Sequence, residues 1–341
     1  MLKDLFKKLL YSSGLLGLYH RLRNGRKLTV VMFHRTLGPN DPRHASSDPD
    51  YTLDPARLTQ SFAFFRRHYH VVSLQQVLDC RRHGTALPRR PLLITFDDGW
   101  ADNFDYALPA LQRADMPALM FVVADAVGQR QPFYQERLIA AWRLGQLSVA
   151  ALALALAPHL GEDTSSLDEG LLSLRKLIAV LELLEPAARG AVLDATGATL
   201  DDGLRHMVNR DELLQLEQGG VALGLHGKTH VPMTRAADLE SELSGARMAL
   251  AQALQKPAES LVTMSFPHGA HDEAIAAKAR DAGYELVFTS VPVLNPVRDR
   301  VGWLLGRTGY ETGTVVDGAG HFRPDLLALY LFRSASRTLA A

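Results

Sequence analysis

The chain has 341 residues, enough for two average domains or one large α/β barrel. Its 37 Lys plus Arg balance 37 Asp plus Glu, so no global field of one sign exists to hold a polyanion, which argues against a nucleic-acid partner. Apolar residues at 47% with charged residues at 22% describe a folded chain, and the one cysteine, Cys80, excludes an internal disulfide framework or a Cys-pair zinc site and fits a reducing compartment.

Residues 1–27 concentrate positive charge, with Lys3, Lys7, Lys8, Arg21, Arg23, Arg26 and Lys27 against Asp4 alone. Leu2, Leu5, Phe6, Leu9 and Leu10 follow helical spacing, which predicts a basic amphipathic helix. Basic residues interrupt each apolar stretch well short of the roughly 18 residues of a spanning helix, and no clear apolar core or cleavage site of a secretory signal follows. The expectation is a cytoplasmic protein. Such a helix suits peripheral contact at the inner face of an anionic membrane, or equally a solvated face packed on the main domain.

The run 28–33 reads as a buried strand ending at His34, and the Pro-, Asp- and Ser-rich stretch 38–55 as a surface loop. Helical spacing at 56–69 leads to a strand candidate at 71–73 and a helix starting at Ser73. Residues 91–96 form the clearest buried strand, 102–114 a helix and 118–123 the next strand, a βαβ unit that predicts parallel pairing. From 133 to 200 only helix signals occur. There Ser166 and Glu169 have the capping-box form, for a helix ending near Pro186 and Gly190. Asn209 with Glu212 caps a further helix stopped by Gly219 and Gly220. The alternation then resumes with strands at 221–225, 261–266 and 285–289 and helices at 239–254 and 273–282.

Polar residues collect where these strands end: His34, Asp97 and Asp98, His226 with His230, and His268. In a parallel barrel that edge is where sites form. Successive side chains at a strand exit diverge, so one of two adjacent carboxylates can ligate a cation while the other faces a substrate. Standing alone, Asp97-Asp98-Gly99 would read as a plain turn. His226 and His230 have the spacing of two imidazoles sharing a cation on one helical turn, a modest signal because about 0.5 such pairs arise by chance in a chain with 13 His. One carboxylate and two neutral imidazoles leave a metal with open positions, a hydrolytic arrangement.

The run from Leu93 to Asn103, with its T-F-D-D-G core, and Gly224-Leu-His-Gly-Lys-Thr-His230 resemble the first two motifs of the polysaccharide deacetylases of carbohydrate esterase family 4, the NodB-like homology domain. The segments around His34, 265–269 and 282–289 are also similar to family strands. The resemblance covers roughly residues 28–310 outside the helical stretch. It implies an α/β fold, a distorted (β/α)7 barrel over 28–315 interrupted by a helical insertion at 133–200, preceded by the amphipathic helix 1–27 and followed by a helical tail at 316–341. It further implies one divalent metal, usually Zn2+, held by Asp98, His226 and His230. Asp97 would be the general base that takes a proton from water activated by the cation. The implied reaction is removal of an N-acetyl group from an amino sugar of a polysaccharide or lipid-linked glycan, in cell-envelope glycan biosynthesis.

Two departures from the family pattern touch the mechanism. Met264 and Ser265 stand where the third motif often begins with an Arg that orients the base, and no His occurs in the fifth-motif region 303–307. His268 is the nearest replacement as proton donor, ahead of His34, His271 and His321. Arg307 either replaces the missing guanidinium or forms a structural ion pair. His34, Trp100, Pro267 and Arg307 are the expected substrate-binding residues. The competing readings are an inactive relative that binds glycan, and a deformylase or amidohydrolase acting on a different small substrate.

Overall fold

The structure, a computed structural model, describes residues 2–160, 167–310 and 312–339. They fall into two compact units, residues 1–37, 49–128 and 208–341 in the first and residues 38–48 and 129–207 in the second.

Apolar runs with no wet face make the strands of the first unit. β1 (Lys27–Phe33), β2 (Pro91–Phe96), β3 (Ala118–Val122), β4 (Val221–Leu225), β5 (Thr263–Ser265) and β6 (Leu286–Phe288) are buried almost throughout. Strands covered on both sides read as continuous hydrophobic stretches, as parallel strands flanked by helices do. Each pairs in parallel with the next, Thr29 opposite Leu92 between β1 and β2 and Val287 opposite Met264 between β6 and β5. The seventh position is split. β7 (Leu304–Leu305) pairs with β6, and β8 (Thr308–Gly309), beyond Gly306 and Arg307, pairs with β1, so the parallel series returns to its first strand. This is the α/β fold expected, with the distortion localised at one seam. Val293–Pro296 runs antiparallel to β1 and makes the sheet mixed.

Local chemistry shifts several boundaries. The helix expected over 102–114 carries a π-helical turn at Asn103–Ala107, ahead of the α-helical Leu108–Ala114. Pro109 has no N–H to donate back into that turn, and the Leu108 N–H reaches the Asn103 carbonyl five residues back. A π-turn likewise replaces the start of the 239–254 helix at Ser241–Gly245.

The second unit is helical, with Tyr134–Arg143, Val149–Leu156, Leu171–Leu181 and Pro186–Ala195 packed around Leu138, Leu152, Leu174, Leu177 and Leu181. Its loop 38–48 is tied in by Arg175, which donates to both oxygens of Asp48 at 2.8 and 2.7 Å, and by Ser46 to Asp202 at 2.6 Å. Ser166 of the expected capping box lies outside the described residues. The Glu169 carboxylate instead accepts the N–H groups of Val149 and Ala150 at 2.7 and 3.0 Å and caps the preceding helix. Pro186, expected near a helix end, opens one, because a residue without an N–H costs nothing at the first turn.

In the first unit, α1 (Leu2–Ser12) and α2 (Leu15–Arg23) pack with the C-terminal helix α3 (Pro324–Arg333). Arg323 bridges Asp4 and Asp325. The His20 ring is buried between Phe332 and Tyr69, with centroids 4.0 and 4.6 Å away.

Two expectations follow. An added Cβ at Gly306 would stand 2.5 Å from the Val291 carbonyl oxygen, and the Asn295 side chain already engages the Gly306 N–H and C=O at 2.8 and 2.9 Å. Gly306→Ala should therefore cost about 1–3 kcal/mol in urea unfolding; an unchanged midpoint would show that the seam relaxes freely. Burial, followed by the nearby His68, pushes His20 from 6.5 down to about 3, so it stays neutral in the fold where the unfolded chain would protonate. Stability from this residue is complete above pH 6.5 and is lost as the pH falls toward 3, by at most about 1.4 kcal/mol per pH unit. The difference in unfolding free energy between the natural chain and His20→Phe should shrink over that window, and a difference independent of pH would refute it.

Candidate metal centre and catalytic site

The Asp97 N–H donates to the Phe33 carbonyl at 2.9 Å and continues the β1–β2 ladder by one residue. Asp98 then turns to φ 76°, and the two carboxylates part. Asp98 Oδ1 lies 3.3 Å from His226 Nε2 and 3.2 Å from His230 Nε2, and its Oδ2 accepts the Trp100 indole N–H at 2.8 Å. Ligating atoms of Asp98, His226 and His230 all lie within 4.8 Å of one another. Asp98, His230 and His268 are three of the non-glycine residues with positive φ. Such conformations cost of order 1–3 kcal/mol each and persist where surrounding contacts impose them.

The donor set suits a divalent cation. His226 Nδ1 is 3.0 Å from the Ser265 carbonyl, so that nitrogen carries the proton and Nε2 turns its lone pair toward Asp98. Two lone-pair donors and an anionic oxygen then face one another, an arrangement that calls for positive charge between them. The field agrees: burial opposes a charge on His226, but the Asp97 and Asp98 carboxylates outweigh it and raise its pKa. Burial also works against ionised Asp98, and the His226 and His230 rings beside it bring its pKa well below the usual carboxylate range.

Asp97 is held from across the barrel. Arg307 Nη1 meets its Oδ1 at 2.6 Å and Nη2 its Oδ2 at 2.8 Å, and Nη2 also donates to Ser265 Oγ at 2.6 Å. Burial alone would raise the Asp97 carboxyl, but the Arg307 guanidinium and then His226 outweigh it and keep Asp97 below its ordinary value. Asp97 Oδ2 stands 3.9 Å from His226 Nε2, beside the ligand cluster.

The substrate-binding expectations need correction. Arg307 is 0% exposed and Trp100 1%, and their donors are committed to Asp97 and Asp98 respectively. Arg307 is paired with Asp97, and Trp100 is hydrogen-bonded to Asp98. Pro267 is buried against the Gly227 turn. Only His34 of that group is half-exposed, its ring 4.8 Å from Tyr51 and its carbonyl accepting from Asn103 Nδ2 at 2.8 Å. The His268 ring lies 4.6 Å from that of His230. Although the residue meets solvent, desolvation of the ring and then His230 and His226 push its pKa down to about 3. His271 stacks on Phe266 at 4.8 Å, and His321 is exposed beside Asp317.

Four further residues support the site. Ser265 serves His226 through its carbonyl and Arg307 through its hydroxyl. The buried Glu242 carboxylate accepts the N–H groups of Lys228 and Thr229 at 2.7 and 3.1 Å and the Thr229 hydroxyl at 2.5 Å, fixing the turn between the two His. Gly227 sits at φ 72° with Glu242, Met233 and Pro267 each 3.1 Å from where a Cβ would sit, so a side chain there would be strained and crowded. Arg35 lies 4.2 Å over the Trp100 ring and donates to Asp102 at 3.0 and 2.8 Å.

A strand-exit metal cluster with a separate, guanidinium-held carboxylate defines a hydrolase-type barrel. The polysaccharide deacetylase family matches residues 84–159 and 175–287, and the chain belongs to that family. The poly-β-1,6-N-acetyl-D-glucosamine N-deacetylase of Escherichia coli K12 is 28% identical over 111 residues, 30% of this chain. The chain spans only 16% of the length of that relative. Among solved structures, the deacetylase PplD of Streptococcus pyogenes, in complex with acetate, superposes with a TM-score of 0.57 at 12% identity, covering 90% of this chain and 99% of that one. IcaB from Ammonifex degensii gives 0.56 at 16% identity, covering 91% and 98%. These likenesses establish a shared fold.

Calorimetric titration of the chelator-stripped chain with Zn2+ tests the cluster. Asp98→Asn and His230→Ala should lose stoichiometric binding, and Trp100→Phe should weaken it by about 10–100-fold. Binding unaffected by all three substitutions would place the cation elsewhere.

Proposed function

We propose that the chain is a metal-dependent hydrolase that removes the N-acetyl group from an amino-sugar residue of a polysaccharide or lipid-linked glycan. The observation that carries this reading is the pairing of Asp98, His226 and His230 with a second carboxylate, Asp97, that ligates nothing in the cluster and is held ionised by Arg307. Zn2+ suits two imidazoles and a carboxylate, and when bound it supplies a Lewis acid that makes water more acidic and polarises a carbonyl. Asp97 accepts the proton from the attacking water. Arg307 fixes both Asp97 oxygens but leaves each a further lone pair for that proton. His226 and His230 present Nε2 inward, and Trp100 keeps Asp98 from rotating away. The proton that Asp97 takes up is the one the departing amine needs; His268, next to His230, is desolvated and neutral and holds no proton in reserve, and His34 with Tyr51 lines the approach.

The printed activity of the Escherichia coli relative selects the first probe, β-1,6-linked N-acetylglucosamine oligomers. Acetate release should require Zn2+, stop with chelator and return on its addition. Asp97→Asn should lower kcat by about 10²–10⁴-fold while Zn2+ still binds. Arg307→Met should lower kcat by at least about tenfold with KM little changed, since it misplaces the base without touching substrate. A fully active Asp97→Asn chain would remove the assigned base.

A further inference from the structure

We infer that α1 and α2 form a docking face for an anionic lipid surface. The inference goes beyond the hydrolase reading and does not depend on it. Leu5, Phe6 and Leu9 on α1 and Leu15, Leu18, Tyr19 and Leu22 on α2 are between 41% and 77% exposed. They are seven of the thirteen large apolar side chains exposed among the described residues, gathered on two consecutive helices. On α2 they fall at i, i+3, i+4 and i+7, one complete helical stripe.

That stripe is not the one that holds the helix to the protein. Leu16 and His20 are buried on another side of α2, and Asn24 just beyond it donates to the Phe332 carbonyl at 2.9 Å. Tyr11 on α1 packs on Phe64 and reaches His68, and Asp4 is paired with Arg323. The pair of helices is therefore anchored through one apolar face and offers a second to solvent. A helix with one apolar face buried and a second exposed has two partners to satisfy, and the fold supplies one of them.

Charge identifies the second partner. Lys3, Lys8, Arg21 and Arg26 are exposed, and the single acid of the two helices is engaged by Arg323. In a chain with no net charge, a local excess of this kind beside exposed leucines matches the headgroup and acyl boundary of an anionic bilayer, where basic side chains meet phosphate and apolar ones enter the acyl region. No helix among the described residues is long and apolar enough to cross a membrane, so the contact inferred is a peripheral one.

Co-sedimentation of the full chain with vesicles of phosphatidylglycerol and phosphatidylcholine tests this without any turnover assay. The chain should pellet with these vesicles, less so as salt rises, and not with phosphatidylcholine alone. The double substitution Leu18→Ser with Leu22→Ser should lower partitioning by about tenfold or more, and so should Lys3→Glu with Lys8→Glu. These side chains are exposed, so circular-dichroism melts should match the natural chain. Failure to pellet, or pelleting equal in all variants, overturns the inference. So does light scattering that shows a dimer dispersed by the leucine substitutions, since the face would then belong to a second copy of the chain.

Discussion

Arg307 and Asp97 form an ion pair closed off from water inside the barrel, and the organisation of the site follows from that pair. A guanidinium without solvent must find an acceptor for every N–H. Arg307 does so with the Thr289 carbonyl, the Thr95 hydroxyl, both oxygens of Asp97 and the Ser265 hydroxyl. Removing either charge would strand the other, a loss far larger than any gain an exposed pair could offer. The pair also constrains geometry. It joins the exit of β2 to the seam between β7 and β8, so Asp97 cannot swing into the ligand cluster and compete with Asp98 for a cation.

Strain and support are matched around that pair. The positive φ at Asp98 and His230 brings side chains from two different strand exits onto one point, and neither conformation would persist in an isolated turn. The Trp100 indole, the Ser265 carbonyl and the Glu242 carboxylate each engage the strained segments directly. Ser265 is the joint of the site, because one residue sets the proton position on His226 and the orientation of the Arg307 guanidinium behind Asp97.

Much of this was legible in the residues. The both-faces-buried strands announced themselves as unbroken apolar runs, and the Asp-Asp-Gly and His-x-x-x-His patterns marked the cluster through their positions at strand exits. The partners of those residues were not legible, because they are set by closure of the ring. Arg307 is 210 residues from Asp97 and Ser265 is 42 from Arg307, separations over which no local pattern operates. Trp100 and Arg307 were expected at the substrate because motif position gives nearness to a site but not the side of the backbone from which a side chain enters. Pro186 misled for a related reason, since the same missing N–H that stops a helix also starts one.

The split seventh strand has a consequence for how the molecule breathes. Two residue pairs hold the seam on one side, Leu304 with Val287 and Leu305 with Phe288, and two on the other, Val31 with Thr308 and Met32 with Gly309. Ladders this short let amide hydrogens escape early when a ring of strands loosens locally, and β4 with β5, joined by Leu225 opposite Met264 alone, is shorter still. Arg307 sits between the two halves, and fraying there frees the guanidinium while the rest of the sheet stays zipped. The fold thus places a short ladder beside its most demanding charge.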